Sequence, residues 1–216
     1  VTNGYCEART AGVATFAVTF DQAMDTSVTD PAVVAVAGVD GGDLSAMVTT
    51  VAWVSETEMR IRLSGPLPDA DTYAISLSKA VRSAGGEALG GDRGVAFVVL
   101  AGDVSGDGDV DNGDMIQVRN HRGEAVTAAT ARYDVNANGS INNGDMIAVR
   151  NCRGNGPLSE PAPVTAEAGP ARTISPGGVT VLEGRGAGGL GLLRYEWLPT
   201  TGLSDPAAAG PEARPT

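Results

Sequence analysis

The chain has 216 residues, with 15 Lys and Arg against 26 Asp and Glu and a formal charge of −11. That acidic balance excludes nucleic acid as a main partner, because phosphate binding needs a basic stripe. Its 30 Gly, 12 Pro and 4% aromatic content suit several small turn-rich β modules better than one large enzyme core. No apolar run approaches the ~18 residues of a membrane span. Residue 1 is Val, with no charged-then-apolar leader behind it, so the sequence reads as a section of a longer protein. Cys6 and Cys152 are the two cysteines, and two separate thiols are expected rather than a disulfide framework.

Residues 1–101 carry period-2 patterns. Phe16, Val18 and Phe20 alternate with Ala17 and Thr19, and Met59, Ile61 and Leu63 with Arg60 and Arg62. Tyr73, Ile75 and Leu77 alternate with smaller residues, and Val95, Phe97 and Val99 close the zone. Such alternation, split by Gly, Pro and Asp turns, predicts half-buried antiparallel strands in a β-sandwich.

Residues 102–154 change character. The segment 102–123 aligns with 133–154 at an offset of 31, and 13 of the 22 positions are identical. One small motif is therefore used twice. Each copy opens with a twelve-residue loop pattern. In the first, oxygen-bearing side chains stand at positions 1, 3, 5, 9 and 12: Asp103, Ser105, Asp107, Asp111 and Asp114. Gly108 is at position 6, where the backbone must turn, and Asp109 at position 7 would offer its carbonyl. The second copy has Asp134, Asn136, Asn138, Asn142 and Asp145, with Gly139 and Ser140 at positions 6 and 7. This spacing wraps hard oxygen ligands around one cation of Ca²⁺ size per loop, two ions in all.

A short helix follows each loop. It is expected to turn Met115 and Val118, or Met146 and Val149, inward, and to end at Gly123 or Gly154. The helix that precedes a full EF-hand loop is missing, and the last ligand is Asp rather than Glu.

A duplicated calcium loop and helix with Asp at position 12 resembles a type I dockerin domain, over residues 102–154. The resemblance implies a non-catalytic, EF-hand-like module that folds with Ca²⁺ and docks onto a cohesin. It also implies that the partner is read by loop positions 10 and 11 and by the middle of the helix. Here those residues are Asn112, Gly113, Arg119 and Asn120, and Asn143, Gly144, Arg150 and Asn151. Clostridial members have Ser-Thr and two basic residues there, whereas this chain has Asn-Gly and Arg-Asn. Because the copies match at all these positions, docking in two orientations is implied.

Residues 155–163 read as a Pro-rich linker. Beyond it, the runs Val179–Gly184 and Leu193–Pro199 are strand candidates, with Trp197 as a core anchor. Through the stretch from Phe16 to Asp30 and the run "LSGPLPDADTYAISLS", residues 1–101 resemble a bacterial Ig-like domain, whose family role is spacing or adhesion. Residues 164–216, through "AEAGPARTISPGGVTVLEG" and "YEWLPTTGLSDP", resemble the first part of a PKD-type Ig-like domain lacking its closing strands.

The expected fold class is thus mainly β with a small α calcium-binding module. An Ig-like β-sandwich is followed by a duplicated loop–helix unit and an incomplete PKD-like β-sandwich. No nucleophile motif appears, and Gly184–Gly191 lacks the Lys-Ser/Thr ending of a phosphate loop. His121 and its repeat counterpart Cys152 are not expected to form a metal or catalytic pair. The expected function is non-catalytic: calcium-dependent attachment to a cohesin-like partner in a secreted or cell-surface multidomain bacterial protein, monomeric and tied to polysaccharide breakdown. Two alternatives stand beside it. One is a calcium-stiffened spacer without a cohesin partner; the other is a fragment of a glycoside hydrolase whose catalytic domain lies elsewhere.

Overall fold

A computed structural model describes residues 5–90, 93–156, 158–175, 177–190, 193 and 195–214. The chain divides into two compact units, Val1–Glu160 and Pro161–Thr216.

Among the described residues of the first unit, eight strands form two sheets. The strands are β1 (Tyr5–Glu7), β2 (Thr15–Thr19), β3 (Val34–Gly38), β4 (Gly42–Asp43), β5 (Val48–Ser55), β6 (Glu58–Leu63), β7 (Asp71–Leu77) and β8 (Gly94–Val99). One sheet runs β1-β8-β7-β3-β4 and the other β2-β6-β5. All pairings are antiparallel except β1 with β8, which is parallel and sets Cys6 beside Val98. The alternating residues supply the core: Phe16, Met59, Ile61, Leu63, Tyr73, Ile75, Leu77, Phe97 and Val99 are buried together. Phe16 meets Phe97 edge-on across the two sheets, ring centroids 5.6 Å apart, a favoured geometry. β7 departs from simple alternation, because Ala74 and Ser76 are buried too. It lies between β3 and β8, and side chains this small are covered by the sheet itself.

After β8 the chain passes directly into the first loop through Leu100, Ala101 and Gly102. Helix α1 (Asn112–Asn120) follows that loop, a 3-10 turn at Ala131–Tyr133 precedes the second, and α2 (Asn143–Cys152) follows it. A second core forms here. Val104, Val110, Val118, Val135, Ile141 and Val149 are buried with Cys6, Ala8 and Leu100. Met115 and Met146 pack at its edge. Both cysteines are free thiols.

Helix α2 ends as expected, with Gly154 left-handed at φ +89° one residue past its C-cap Arg153. The first copy differs. Helix α1 stops at Asn120 with His121 as its C-cap, and Gly123 lies two residues further on. The Gly123 amide still donates to the Ile141 carbonyl of the other loop, at 2.9 Å.

In the second unit, short strands pair as β9 (Thr165–Glu167) with β11 (Arg185–Ala187) and β10 (Thr180–Val181) with β12 (Glu212–Ala213). The candidate strand at 179–184 is therefore reduced to two residues. Leu193 and 195–199 are not strand; Arg194 lies outside the described residues. Trp197 instead anchors a loop, its backbone amide donating to Pro206 O and its indole Nε1 to Ala208 O, both at 2.9 Å. That side chain is half-buried.

Candidate metal centre

The first loop is closed by the carboxylates at its two ends. Asp103 Oδ1 accepts from Ser105 Oγ, Gly106 N and Asp107 N at 3.1, 2.6 and 3.2 Å. Its Oδ2 accepts from Gly108 N at 3.0 Å and from the Cys6 thiol at 3.5 Å. Asp114 accepts from Ser105 N and Asp111 N, both at 2.9 Å. The second loop repeats the scheme. Asp134 accepts from Asn138 N and Gly139 N, and Asp145 from Asn136 N and Asn142 N, between 2.8 and 3.1 Å. The turn inside each loop needs its glycine at position 6, because Gly108 and Gly139 have φ of +93° and +84°.

The residue at position 9 has a second task. Asp111 and Asn142 are the N-caps of α1 and α2, and Asp114 and Asp145 complete capping boxes with them. The position-12 carboxylates thereby sit in the first helical turn, where the helix dipole favours negative charge.

The burial of these acids is the main electrostatic fact. Asp103, Asp114, Asp134 and Asp145 are at most 4% exposed. Among the described residues none of them is ion-paired. An isolated buried carboxylate is expensive, and nature balances it with a partner cation or a metal. Each loop holds two such charges, and the side chains at positions 1, 3, 5, 9 and 12 of both loops all carry hard oxygens, which suits Ca²⁺. The donor set therefore fits the ion. The intermediate acids Asp107, Asp109 and Asp111 are exposed, and Asn and Ser take their places in the second loop. No three His, Cys, Asp or Glu side chains converge as a ready cage among the described residues.

The helices turn Val118 and Val149 inward, both fully buried. Of the residues expected to read a partner, Asn112, Gly113, Arg119, Asn120, Asn143, Arg150 and Asn151 are exposed and Gly144 is half-buried. Asn143 Oδ1 already accepts from Arg122 Nη1 at 3.0 Å. Sequence reasoning missed Ile116 and Ile147, which are 46% and 49% exposed. They occupy the same position in the two copies and precede Arg119/Asn120 and Arg150/Asn151 by three and four residues, so each shares a helix face with them. The signal was available: a matched Ile stands one place off the inward Met/Val stripe in both copies. His121 is also more engaged than expected. It stacks on Tyr133 with ring centroids 3.8 Å apart, and its Nδ1 lies 3.0 Å from Glu124 Oε2.

Residues 101–152 match the family model for the Dockerin type I domain. No curated protein matches the chain. Among solved structures, domains 1–6 of the surface layer protein SbsC are 17% identical with a TM-score of 0.35, covering 42% of this chain and 12% of that one. The N-terminal part of the bacterial S-layer protein SbsC is 18% identical with a TM-score of 0.31, covering 41% of this chain and 21% of that one. This chain thus spans no more than about a fifth of those structures. Among the described residues no helix is long and apolar enough to cross a membrane.

Proposed function

With a type I dockerin domain, a non-catalytic module of a calcium-binding and cohesin-docking kind, at residues 101–152, we propose that this chain is a calcium-dependent attachment segment of a secreted or cell-surface protein. The observation that carries the reading is the set of four buried, unpaired carboxylates, two at the ends of each copy of a duplicated loop. One ion would be held by Asp103, Ser105, Asp107, Asp111 and Asp114 with the Asp109 carbonyl. The other would be held by Asp134, Asn136, Asn138, Asn142 and Asp145 with the Ser140 carbonyl. Bound Ca²⁺ supplies the positive charge that these loops lack.

The chain's own residues then do the docking. Helices α1 and α2 present Ile116, Arg119 and Asn120 in one copy and Ile147, Arg150 and Asn151 in the other. An exposed apolar side chain flanked by a guanidinium and an amide suits a protein partner better than a sugar or a lipid surface. The partner is a cohesin-type domain, and the flanking β units act as Ig-like and PKD-like spacers in a polysaccharide-degrading assembly. Pull-down by immobilised cohesins from the same genome, in Ca²⁺ and in EGTA, tests this. Binding that needs Ca²⁺ and is lost in Ile116→Asp/Ile147→Asp supports it. Calcium-loaded protein that no cohesin retains leaves the second reading, a calcium-stiffened spacer. The observation favouring that alternative is the joint core that Cys6, Ala8 and Leu100 make with the calcium loops.

A further inference from the structure

We propose that the N-terminal segment Tyr5–Thr10 positions both calcium loops, so that ion binding and closure of the β-sandwich edge are one coupled equilibrium. The inference rests on the calcium reading of the loops given above.

Strand β1 pairs with β8 in the sandwich, and its Tyr5 packs on the sandwich core, but Cys6 and, just past the strand, Ala8 do not join that core. Cys6 and Ala8, 4% and 0% exposed, are buried with Val104, Val118, Val135 and Val149 instead. The segment then accompanies the chain as it crosses into the first loop. Leu100 N donates to Glu7 O at 3.1 Å and Gly102 N to Ala8 O at 2.8 Å. Beside that crossing, the Cys6 thiol donates to Asp103 Oδ2, on the first residue of loop one. Four residues later the segment reaches loop two. Thr10 N and Thr10 Oγ1 both donate to Val135 O, at 2.8 and 3.1 Å. Val135 follows Asp134, the first residue of that loop, and is fully buried. Between these two contacts the strap is stiffened by Glu7, 3% exposed, whose carboxylate is clamped by Arg9 Nε and Nη2 at 2.6 Å each.

The duplicated loops alone offer a very small core. Three of the nine buried residues of that core, Cys6, Ala8 and Leu100, lie outside residues 101–152. A module of this size is marginal without such help. Whatever orders the loops must also favour the docked strap, and by linkage the docked strap must favour the ions by the same factor.

The test uses the whole chain. Calorimetry measures Ca²⁺ affinity, and hydrogen exchange follows the amides of Leu100, Gly102 and Thr10 with and without Ca²⁺. Calcium is expected to slow all three at least tenfold. Thr10→Pro, which removes both donors to Val135, is expected to weaken the affinity of the Asp134 loop about tenfold. Thr10→Ser keeps both donors and should stay within about twofold. Should Thr10→Pro not fold, hydrogen exchange on the unaltered chain still decides. Bound calcium with unchanged exchange at the three amides overturns the coupling alone. Absence of calcium binding overturns the coupling and the calcium reading together.

Discussion

The amide of Gly154 donates to the carbonyl of Val110 across 3.0 Å. Gly154 follows the second helix, whereas Val110 is the aliphatic residue of the first loop. The reverse bond is also made, from Gly123 after the first helix to Ile141 of the second loop, at 2.9 Å. Each loop is thus tied to the end of the other copy's helix, and neither can open without disturbing its neighbour. The duplication therefore builds one coupled object rather than two beads.

That coupling predicts how the ions bind. Counting side chains at positions 1, 3, 5, 7, 9 and 12, the first loop has five carboxylates and the second has Asp134 and Asp145 alone. More ligand charge gives tighter Ca²⁺ binding, so the first loop is expected to fill first. Asp114→Ala should abolish the tighter site and weaken the other severalfold; Asp145→Ala should abolish the weaker site and trim the tighter one. Calorimetry on both variants checks this. Equal affinities, or a second site indifferent to damage in the first, would sink it.

Removing the metal should melt the helices before the sheets. Without ions, buried Asp103 and Asp114 have no cation to balance their charge, and neither do Asp134 and Asp145. EGTA is expected to abolish the helical circular-dichroism signal of α1 and α2 while most of the β signal remains. Restoring Ca²⁺ to 100 times its dissociation constant should recover about 2.7 kcal/mol per site. A helical signal that survives EGTA counts against the calcium-coupled fold.

Val118 and Val149 are fully buried equivalents on the two helices. Truncating either to Ala removes roughly two buried methyl groups and leaves a cavity, costing about 2 kcal/mol. Thermal unfolding in saturating Ca²⁺ should show nearly equal losses for the two variants. Ile116→Ala and Ile147→Ala, at exposed positions of the same helices, should change stability by less than about 0.5 kcal/mol.

The two thiols should differ in reactivity. Burial, and then the Asp103 carboxylate that accepts its proton, push the Cys6 thiol far above the ordinary thiol range. Burial also raises Cys152, which is only half-buried. The thiolate is the reactive form, and a raised value keeps it scarce until the pH passes that value. Iodoacetamide at pH 8 should therefore label Cys152 first in the folded chain, with Cys6 protected until EGTA or denaturant opens the loops. Faster labelling of Cys6 in Ca²⁺ contradicts the placement of its side chain.

The local rules were legible where neighbours in sequence decide the outcome. Met59, Ile61 and Leu63 announced a strand, and the Asp103–Asp114 spacing announced a loop closed by its ends. The rest depended on partners far along the chain. Nothing near Cys6 or Ala8 says that they belong to a core some 100 residues downstream, or near Thr10 that it bonds Val135, because parallel pairing of β1 with β8 is a long-range choice. The run Leu193–Pro199 shows the opposite failure. Its Tyr and Trp have strand propensity, yet propensity in strands reflects packing on neighbours, and Trp197 finds its partners in the 206–208 loop instead.

A last difference between the copies lies at loop position 4. Gly106 has φ +80°, while the second loop carries Ala137 there, at φ +55°. A left-handed conformation costs a non-glycine residue about 1–2 kcal/mol. Replacing Ala137 with Gly relieves that strain but returns roughly 0.4–1 kcal/mol of chain entropy to the unfolded state. The net effect of Ala137→Gly should be a small gain, under about 1 kcal/mol, and up to a few-fold tighter calcium binding at the second loop. Gly106→Ala should do the reverse in the first loop, where the new methyl would also meet Arg132 Nη2 at 3.2 Å. The pair of variants separates backbone strain from ligand charge as the source of any inequality between the loops. Should Ala137→Gly leave the second affinity untouched, carboxylate number alone accounts for the gap.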